Sequence, residues 1–261
     1  MGTRIERALI TGASAGIGEQ FARQLADRGV EVVLVARRRE RLEELAAELD
    51  VRAEVLPADL TDEGDLDLIA RRVTAPDQPV DLLVNNAGFG VYGRFDELDA
   101  ARQAQMIELN VRALVRLTHA AVGSQCERGR GGVINVGSTA GFQADPYAAV
   151  YGASKAFVRS FTEALAEELR GEPVRMMLLA PGFTETEFQS VAGIEPGVLP
   201  ASTVTTAEQV VARALRDFAR SRTVSVPGPM NALSAVGSDL APSALSRRVS
   251  GYIHHRFVEQ A

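Results

Sequence analysis

The residues Ala8-Leu9-Ile10-Thr11-Gly12-Ala13-Ser14-Ala15-Gly16-Ile17-Gly18-Glu19 pass from a short apolar run through a glycine-rich turn into a segment of helical period. Glycines at such a turn permit a sharp reversal, let the backbone approach a pyrophosphate and allow close helix–strand contact. The helix N-terminus then offers its N–H groups to the anion. The spacing is G-x-x-x-G-x-G rather than the common G-x-G-x-x-G fingerprint, so the turn alone also fits an ordinary βα connection. The strand before it and the helix after it favour a coenzyme loop. Gly12, Ser14, Gly16, Ile17 and Gly18 are its candidate contacts.

Outward from this unit, apolar β-branched runs alternate with helical segments, the pattern of repeated βαβ units. The runs Ala8–Thr11, Glu31–Ala36, Ala53–Leu56, Asp81–Val84, Val133–Val136, Arg175–Leu179 and Thr223–Val226 predict seven strands in a mostly parallel, doubly wound sheet. Ile17, Phe21 and Leu25 share one helical face, as do Leu42, Leu45 and Leu49, then Leu66, Ile69 and Val73. Helices are therefore expected on both faces of a Rossmann-type α/β domain spanning 1–261. Two regions break the alternation: a substrate lid over 183–205 and a C-terminal extension over 229–261.

The 261 residues are 46% hydrophobic and 24% charged, which excludes a disordered or collagen-like chain. Lys plus Arg is 28 against 34 Asp plus Glu, a net charge of −6, the wrong sign for a general nucleic-acid binder. The one cysteine, Cys126, makes neither an internal disulfide nor a cysteine zinc cluster. Adjacent His254 and His255 are poorly placed for a shared metal, and no metal site is expected. The segment Met1–Arg7 carries Arg4, Glu6 and Arg7, unlike a secretory signal, and no stretch approaches about 20 apolar residues. A cytoplasmic protein without a transmembrane segment is the expectation.

The second strand ends in Ala36-Arg37-Arg38-Arg39, where many NAD-binding folds place an acid for the adenosine ribose. Arg37 can hold a 2′-phosphate through paired N–H donors and Arg38 can add charge or stack on adenine, favouring NADP(H) over NAD(H). A solvated basic helix start, balanced by Glu40, Glu43 and Glu44, is the plainer alternative.

Tyr151 and Lys155 are four residues apart and share a helical face. A free phenol has a pKa near 10, and a neighbouring cation favours the phenolate. Such a pair suits proton delivery to the alkoxide that forms when hydride reduces a carbonyl. The Y-x-x-x-K pattern is common, so its context decides. Ser138 follows a strand at the ligand-binding edge of the sheet, and Asn85-Asn86-Ala87-Gly88 follows another. Asn110 interrupts the apolar face of Met106, Leu109, Ala113 and Leu117, where it either finds partners inside or faces solvent.

With these motifs in order over roughly residues 5–228, the chain resembles the short-chain dehydrogenase/reductase family, core type of about 250 residues. The likeness is to an NADP-preferring bacterial reductase subgroup with a longer C-terminus. It implies that Tyr151 is the acid/base and that Lys155 lowers the Tyr151 pKa and binds the nicotinamide ribose. It implies that Ser138 positions the carbonyl and Asn110 holds a relay water. Asp59 and Leu60 would lie near the adenine. Asn86, Ala87, Gly88, Pro181, Gly182, Thr184 and Thr186 would meet the coenzyme. Ala15 stands where some NADP-preferring relatives have a base, so the coenzyme choice rests on Arg37 and Arg38.

The expected activity is NADP(H)-dependent hydride exchange with a small carbonyl or alcohol substrate. The alternatives are a 3-oxoacyl thioester reductase and, from another class, a non-catalytic coenzyme-binding regulator. Residues 183–212 hold Glu185, Glu187, Glu195 and Glu208 but no Lys or Arg, beside Phe183, Phe188, Val191, Ile194, Val198 and Leu199. From that window a neutral, apolar substrate is expected, unless Arg94 or Arg247 reaches the pocket. Family members associate through the Tyr151 helix and the next long helix, here Ala207–Ala219. With Phe157, Phe161, Leu165 and Leu169 on the first, a homodimer or homotetramer is expected.

Overall fold

A computed structural model describes residues 5–187, 204–240, 247–248 and 250–251. The main sheet has seven parallel strands: β1 (Arg7–Thr11), β2 (Glu31–Ala36), β3 (Ala53–Pro57), β4 (Leu82–Asn85), β5 (Gly131–Val136), β6 (Val174–Leu179) and β9 (Val224–Ser225). Each falls on an apolar run expected from the sequence. The spatial order β3-β2-β1-β4-β5-β6-β9 means that the chain builds outward from β1, then returns to its other side at β4. That reversal opens a crevice beyond the carboxyl ends of β1 and β4, where open α/β sheets bind ligands.

The central strands are apolar on both faces because helices cover both. Ala8 and Ile10 of β1 point into a core with Phe21, Ala22 and Leu25 of α1 (Gly16–Ala26), Leu42 and Leu45 of α2 (Arg39–Glu48), and Val210, Ala214 and Phe218 of α7 (Ala207–Ala219). Leu9, between them, points the other way. It joins Leu66, Ile69 and Val73 of α3 (Glu63–Val73) and Leu117 and Ala121 of α5 (Leu114–Arg128). Full burial of each large apolar side chain stabilises the fold by roughly 1.5–3 kcal/mol.

Between α4 (Ala100–Ile107) and α5, residues Glu108–Ala113 form a π-helical turn. α6 (Ala149–Glu168) carries the Tyr-Lys pair on its buried face, while Phe157, 41% exposed, stacks on Phe161 with ring centroids 5.7 Å apart. Leu165 and Leu169, the other half of that stripe, pack against the core instead.

The two ends of the expected lid meet as a parallel pair, β7 (Thr184–Glu185) with β8 (Thr205–Thr206). Of the six apolar residues named above for the lid, Phe188, Val191, Ile194, Val198 and Leu199 lie outside the described residues. The extension opens with α8 (Pro229–Leu240), and His254 and His255 also lie outside the described residues. Among the described residues, no helix is long and apolar enough to cross a membrane.

Beneath the crevice, four polar side chains close a hydrogen-bond network inside the core. Asn85 Nδ2 donates to Thr118 Oγ1 and to Asn135 Oδ1, each at 2.9 Å, and Asn135 Nδ2 donates to Thr162 Oγ1 at 3.0 Å. The network joins β4, β5, α5 and α6, so the strands ending at the crevice keep a fixed register to the helix carrying Tyr151.

Candidate active site

The crevice is a cavity of about 840 Å³ running from the β1–α1 turn to the start of α8. Gly12 and Gly16 adopt φ values of +66° and +58°, a region glycine enters without strain. A Cβ on Gly12 would stand 2.8 Å from Asn86 Nδ2, and one on Gly16 would stand 2.9 Å from Thr186 Cγ2. Gly18 lies behind the wall, where a Cβ would meet Gly12 O at 2.2 Å. The third glycine therefore serves helix–strand approach rather than direct contact. Ala15, at the N-cap of α1, supplies no capping side chain, so the first turn presents N–H groups to the cavity. These features fit a pyrophosphate.

At the end of β2, Arg37 and Arg38 line the cavity as expected. Neither stands alone. Arg37 Nη1 lies 4.0 Å from Asp59 Oδ2, while Arg38 donates to Ser14 Oγ at 3.1 Å and to Glu187 Oε2 at 2.9 Å. Partial burial raises the Asp59 pKa, but the Thr61 N–H and hydroxyl and the Arg37 charge together bring it below the ordinary value. Leu60 lines the cavity beside it.

The expected residues of the opposite end converge on the same space. Ser138, Tyr151, Lys155, Asn86, Ala87, Gly88, Pro181, Gly182, Thr184 and Thr186 all line it. Asn86 Nδ2 donates to Thr11 O at 2.9 Å, and the N–H groups of Asn86 and Ala87 both donate to Thr11 Oγ1 at 3.0 Å. Asn110 does not reach the cavity. It sits in the π-helical turn, 1% exposed, accepting from Phe89 N at 3.2 Å and donating to Phe89 O at 3.0 Å and to Ser154 Oγ at 3.1 Å. Its side chain braces the wall, so a relay role would have to pass through the irregular backbone there.

The electrostatics of the pair differ from the sequence-based expectation. Lys155 Nζ donates to Val136 O at 2.9 Å and lies 5.8 Å from the centroid of the Tyr151 ring. Burial brings the Lys155 ammonium down to about 8. Burial also pushes the Tyr151 phenol up to about 12, against the lowering effect of a hydrogen bond with Ser138 and reinforced by the Asp145 carboxylate. Desolvation outweighs the Ser138 hydrogen bond, and the phenol keeps its proton throughout the neutral range.

Sequence reasoning missed the far wall. Phe89, Tyr92, Arg102, Gln105, Asp145 and Met230 line the cavity there. Only Phe89 carried a signal, its place directly after Gly88; the others arrive through tertiary packing. Arg94 is instead paired with Asp96 at 2.9 Å away from this cavity, and Arg247 does not line it. Among the described residues, no cluster of His, Cys, Asp or Glu is arranged to hold a metal ion.

A family model for the short chain dehydrogenases matches residues 6–195. Sulfoacetaldehyde reductase 2 of Chromohalobacter salexigens is 42% identical over 187 residues, covering 70% of this chain and 74% of that protein. An NADP-dependent 3-hydroxy acid dehydrogenase of Salmonella typhi is 38% identical over 192 residues, 70% of this chain and 75% of its own. A short-chain dehydrogenase from Sphingobium yanoikuyae, solved in complex with NADPH, superimposes with a TM-score of 0.82 at 35% identity, covering 92% of this chain and 97% of that one. With its strand order, glycine turn and Ser-Tyr-Lys grouping, the chain belongs to the short-chain dehydrogenase family and is an oxidoreductase acting on CH–OH or C=O groups, not a regulator without turnover.

Proposed function

We propose that the protein exchanges hydride between NADP(H) and a small aldehyde, ketone or alcohol. The observation that carries this reading is the meeting of Ser138, Tyr151 and Lys155 in one cavity with the glycine turn and with Arg37 and Arg38. Bound in that cavity, the reduced nicotinamide supplies the hydride. The remaining chemistry belongs to the chain. Ser138 and Tyr151 hydroxyls hold the substrate oxygen, and Tyr151 Oη gives its proton to the oxygen as the carbonyl carbon is reduced. A phenol held near 12 is protonated at pH 7, the state that reduction requires. Lys155 offers a buried cation to the ribose hydroxyls and to the developing charge, and Asn110 holds the Phe89 wall in place. Phe89, Tyr92, Leu109, Phe183 and Met230 form an apolar lining for the carbon skeleton.

NADP(H) is supported by Arg37 and Arg38 at the cavity's adenosine end and by the coenzymes named for the Sphingobium and Salmonella proteins. The exposed Phe157, stacked on Phe161, supports pairing of two copies through α6.

Four measurements test these assignments. Tyr151→Phe keeps the ring and removes the proton donor, so kcat should fall about 10²–10⁴-fold while coenzyme affinity is retained; near-normal turnover would overturn the role. Arg37→Ala should weaken NADPH by about tenfold and leave NADH unchanged. Equal wild-type efficiency with the two coenzymes refutes the preference. Light scattering at micromolar concentration should give a dimeric or tetrameric mass, and a monomer refutes the pairing.

The fourth concerns stability, because burial of the Lys155 ammonium opposes folding whenever the lysine is charged. The unfolded lysine titrates near 10.5 and the folded one near 8, so between these values the unfolded chain binds more protons and stability rises with pH. Lys155→Met should therefore be more stable at pH 7 by about 1–2 kcal/mol, after allowing for the donor lost from Val136 O. Its advantage should shrink towards pH 10. Urea titration of wild type and variant at both pH values checks the sign, and a less stable variant at pH 7 contradicts it.

A further inference from the structure

We propose that Arg102 is the anion-binding residue of the substrate cavity, and that the substrate is a short aldehyde or ketone ending in a sulfonate or carboxylate. The proposal rests on the hydride-transfer reading and specifies its substrate class.

Four cations line the cavity among the described residues: Arg37, Arg38, Lys155 and Arg102. Arg37 and Arg38 stand at the end of β2 and are paired with Asp59 and Glu187. Lys155 is committed to Val136 O beside Tyr151. Arg102, on α4, is half-buried and has no carboxylate within ion-pair distance among the described residues. Its guanidinium carbon sits 3.9 Å from the centroid of the Phe89 ring, and Nη1 donates to Gln105 Oε1 at 2.6 Å. One of five N–H donors is thus spent on the protein, and the group rests against the Phe89 ring. A guanidinium remains charged at every working pH. Held at a partly desolvated wall without a counter-charge, it favours an oxyanion that can accept two parallel N–H bonds.

Position sets the size of the ligand. Phe89 is held at both its N–H and its carbonyl by Asn110, so the surface under Arg102 is rigid. The same ring belongs to one buried cluster with Tyr151, Met106 and Ala148. A molecule with its carbonyl at Tyr151 and its anion at Arg102 therefore bridges this one cluster, which suits a short skeleton. The other charge on this wall is Asp145, 6% exposed, in the loop before α6, whose field reaches Tyr151 and Tyr92. It repels an anion and so turns the charged end towards α4. The neutral substrate expected from residues 183–212 came from a window that does not contain Arg102.

The test compares kcat/KM with NADPH for 4-oxobutanoate, its methyl ester and sulfoacetaldehyde, in wild type and in Arg102→Gln. Both acids should exceed the ester by about tenfold or more in wild type, equivalent to about 1.4 kcal/mol. The better of the two identifies the oxyanion. Arg102→Gln should lower kcat/KM for the acids by about tenfold, mainly through KM, and leave the ester within about threefold. An ester equal to or better than both acids, or a variant that slows acid and ester alike, overturns the proposal while hydride transfer stands. If none of the three oxidises NADPH although the coenzyme raises Tm, the proposal fails, and the hydride-transfer reading fails with it only if a panel of neutral ketones and aldehydes also leaves NADPH unoxidised. Should Arg102→Gln not fold, the wild-type comparison decides together with salt: kcat/KM for the acid must fall between about 20 and 200 mM NaCl while that of the ester does not.

Discussion

The architecture depends on one close approach, where the loop after β4 meets the turn after β1. Asn86 can donate to Thr11 O only because Gly12 has no side chain in the way, and α1 can start beside Gly12 O only because Gly18 has none. Thr11 completes the joint, its hydroxyl accepting two N–H groups from the β4 loop. The strand order reverses at this joint, so the same contacts that bring β1 and β4 together also form the floor of the crevice. Side chains larger than hydrogen at Gly12 or Gly18 would push apart the two halves of the sheet before any ligand was affected.

From that floor, polar groups pass inward into regions where they are costly unless paired. Asn85, Thr118, Asn135 and Thr162 are each almost inaccessible, yet their side chains pair with one another across two strands and two helices, leaving Asn85 Oδ1 as the one buried atom of the four without a partner. Tyr151 and Lys155 lie at the upper end of this polar column and are less fully compensated. Burial moves the phenol up and the ammonium down, so both groups favour their neutral forms more than in water. The hydrogen-bonded network below gives the desolvated pair a fixed platform, and part of the stability gained by the core offsets the cost of keeping a cation inside it.

The sheet was legible in the sequence because a strand buried on both faces must be apolar throughout, and β1, β2, β4, β5 and β6 read that way. The coenzyme end was legible for a related reason: close backbone approach restricts residue type locally, and Gly12, Gly16 and Gly18 record that restriction. The behaviour of Asn110 was half visible. A buried asparagine needs partners, but its sequence neighbours do not reveal that the helix shifts to π geometry there or that the partner is the Phe89 backbone 21 residues away. Arg102 and Asp145 left no mark at all, since an arginine on a helix and an aspartate before a proline are ordinary surface residues until packing places them in a cavity wall. The Tyr151 pKa failed to follow the expected direction for the same reason: adjacency on a helix is local, whereas desolvation is set by everything packed around the pair.

At the adenosine end the two arginines meet a different balance. Arg37, Arg38, Asp59 and Glu187 are substantially solvent-exposed, so their ion pairs contribute only about 0–1 kcal/mol each. Such pairs keep the guanidinium groups near the mouth of the cleft without committing them. A dianionic phosphate entering there offers more charge and more acceptor oxygens than either carboxylate, and exchange of one partner for the other requires no burial of a new charge. Glu187 also accepts a contact from Arg41 at 3.7 Å, so releasing Arg38 does not leave the glutamate without a cation. The weak, exposed ion pairs thus contrast with Lys155, which is buried in the wall and donates to Val136 O.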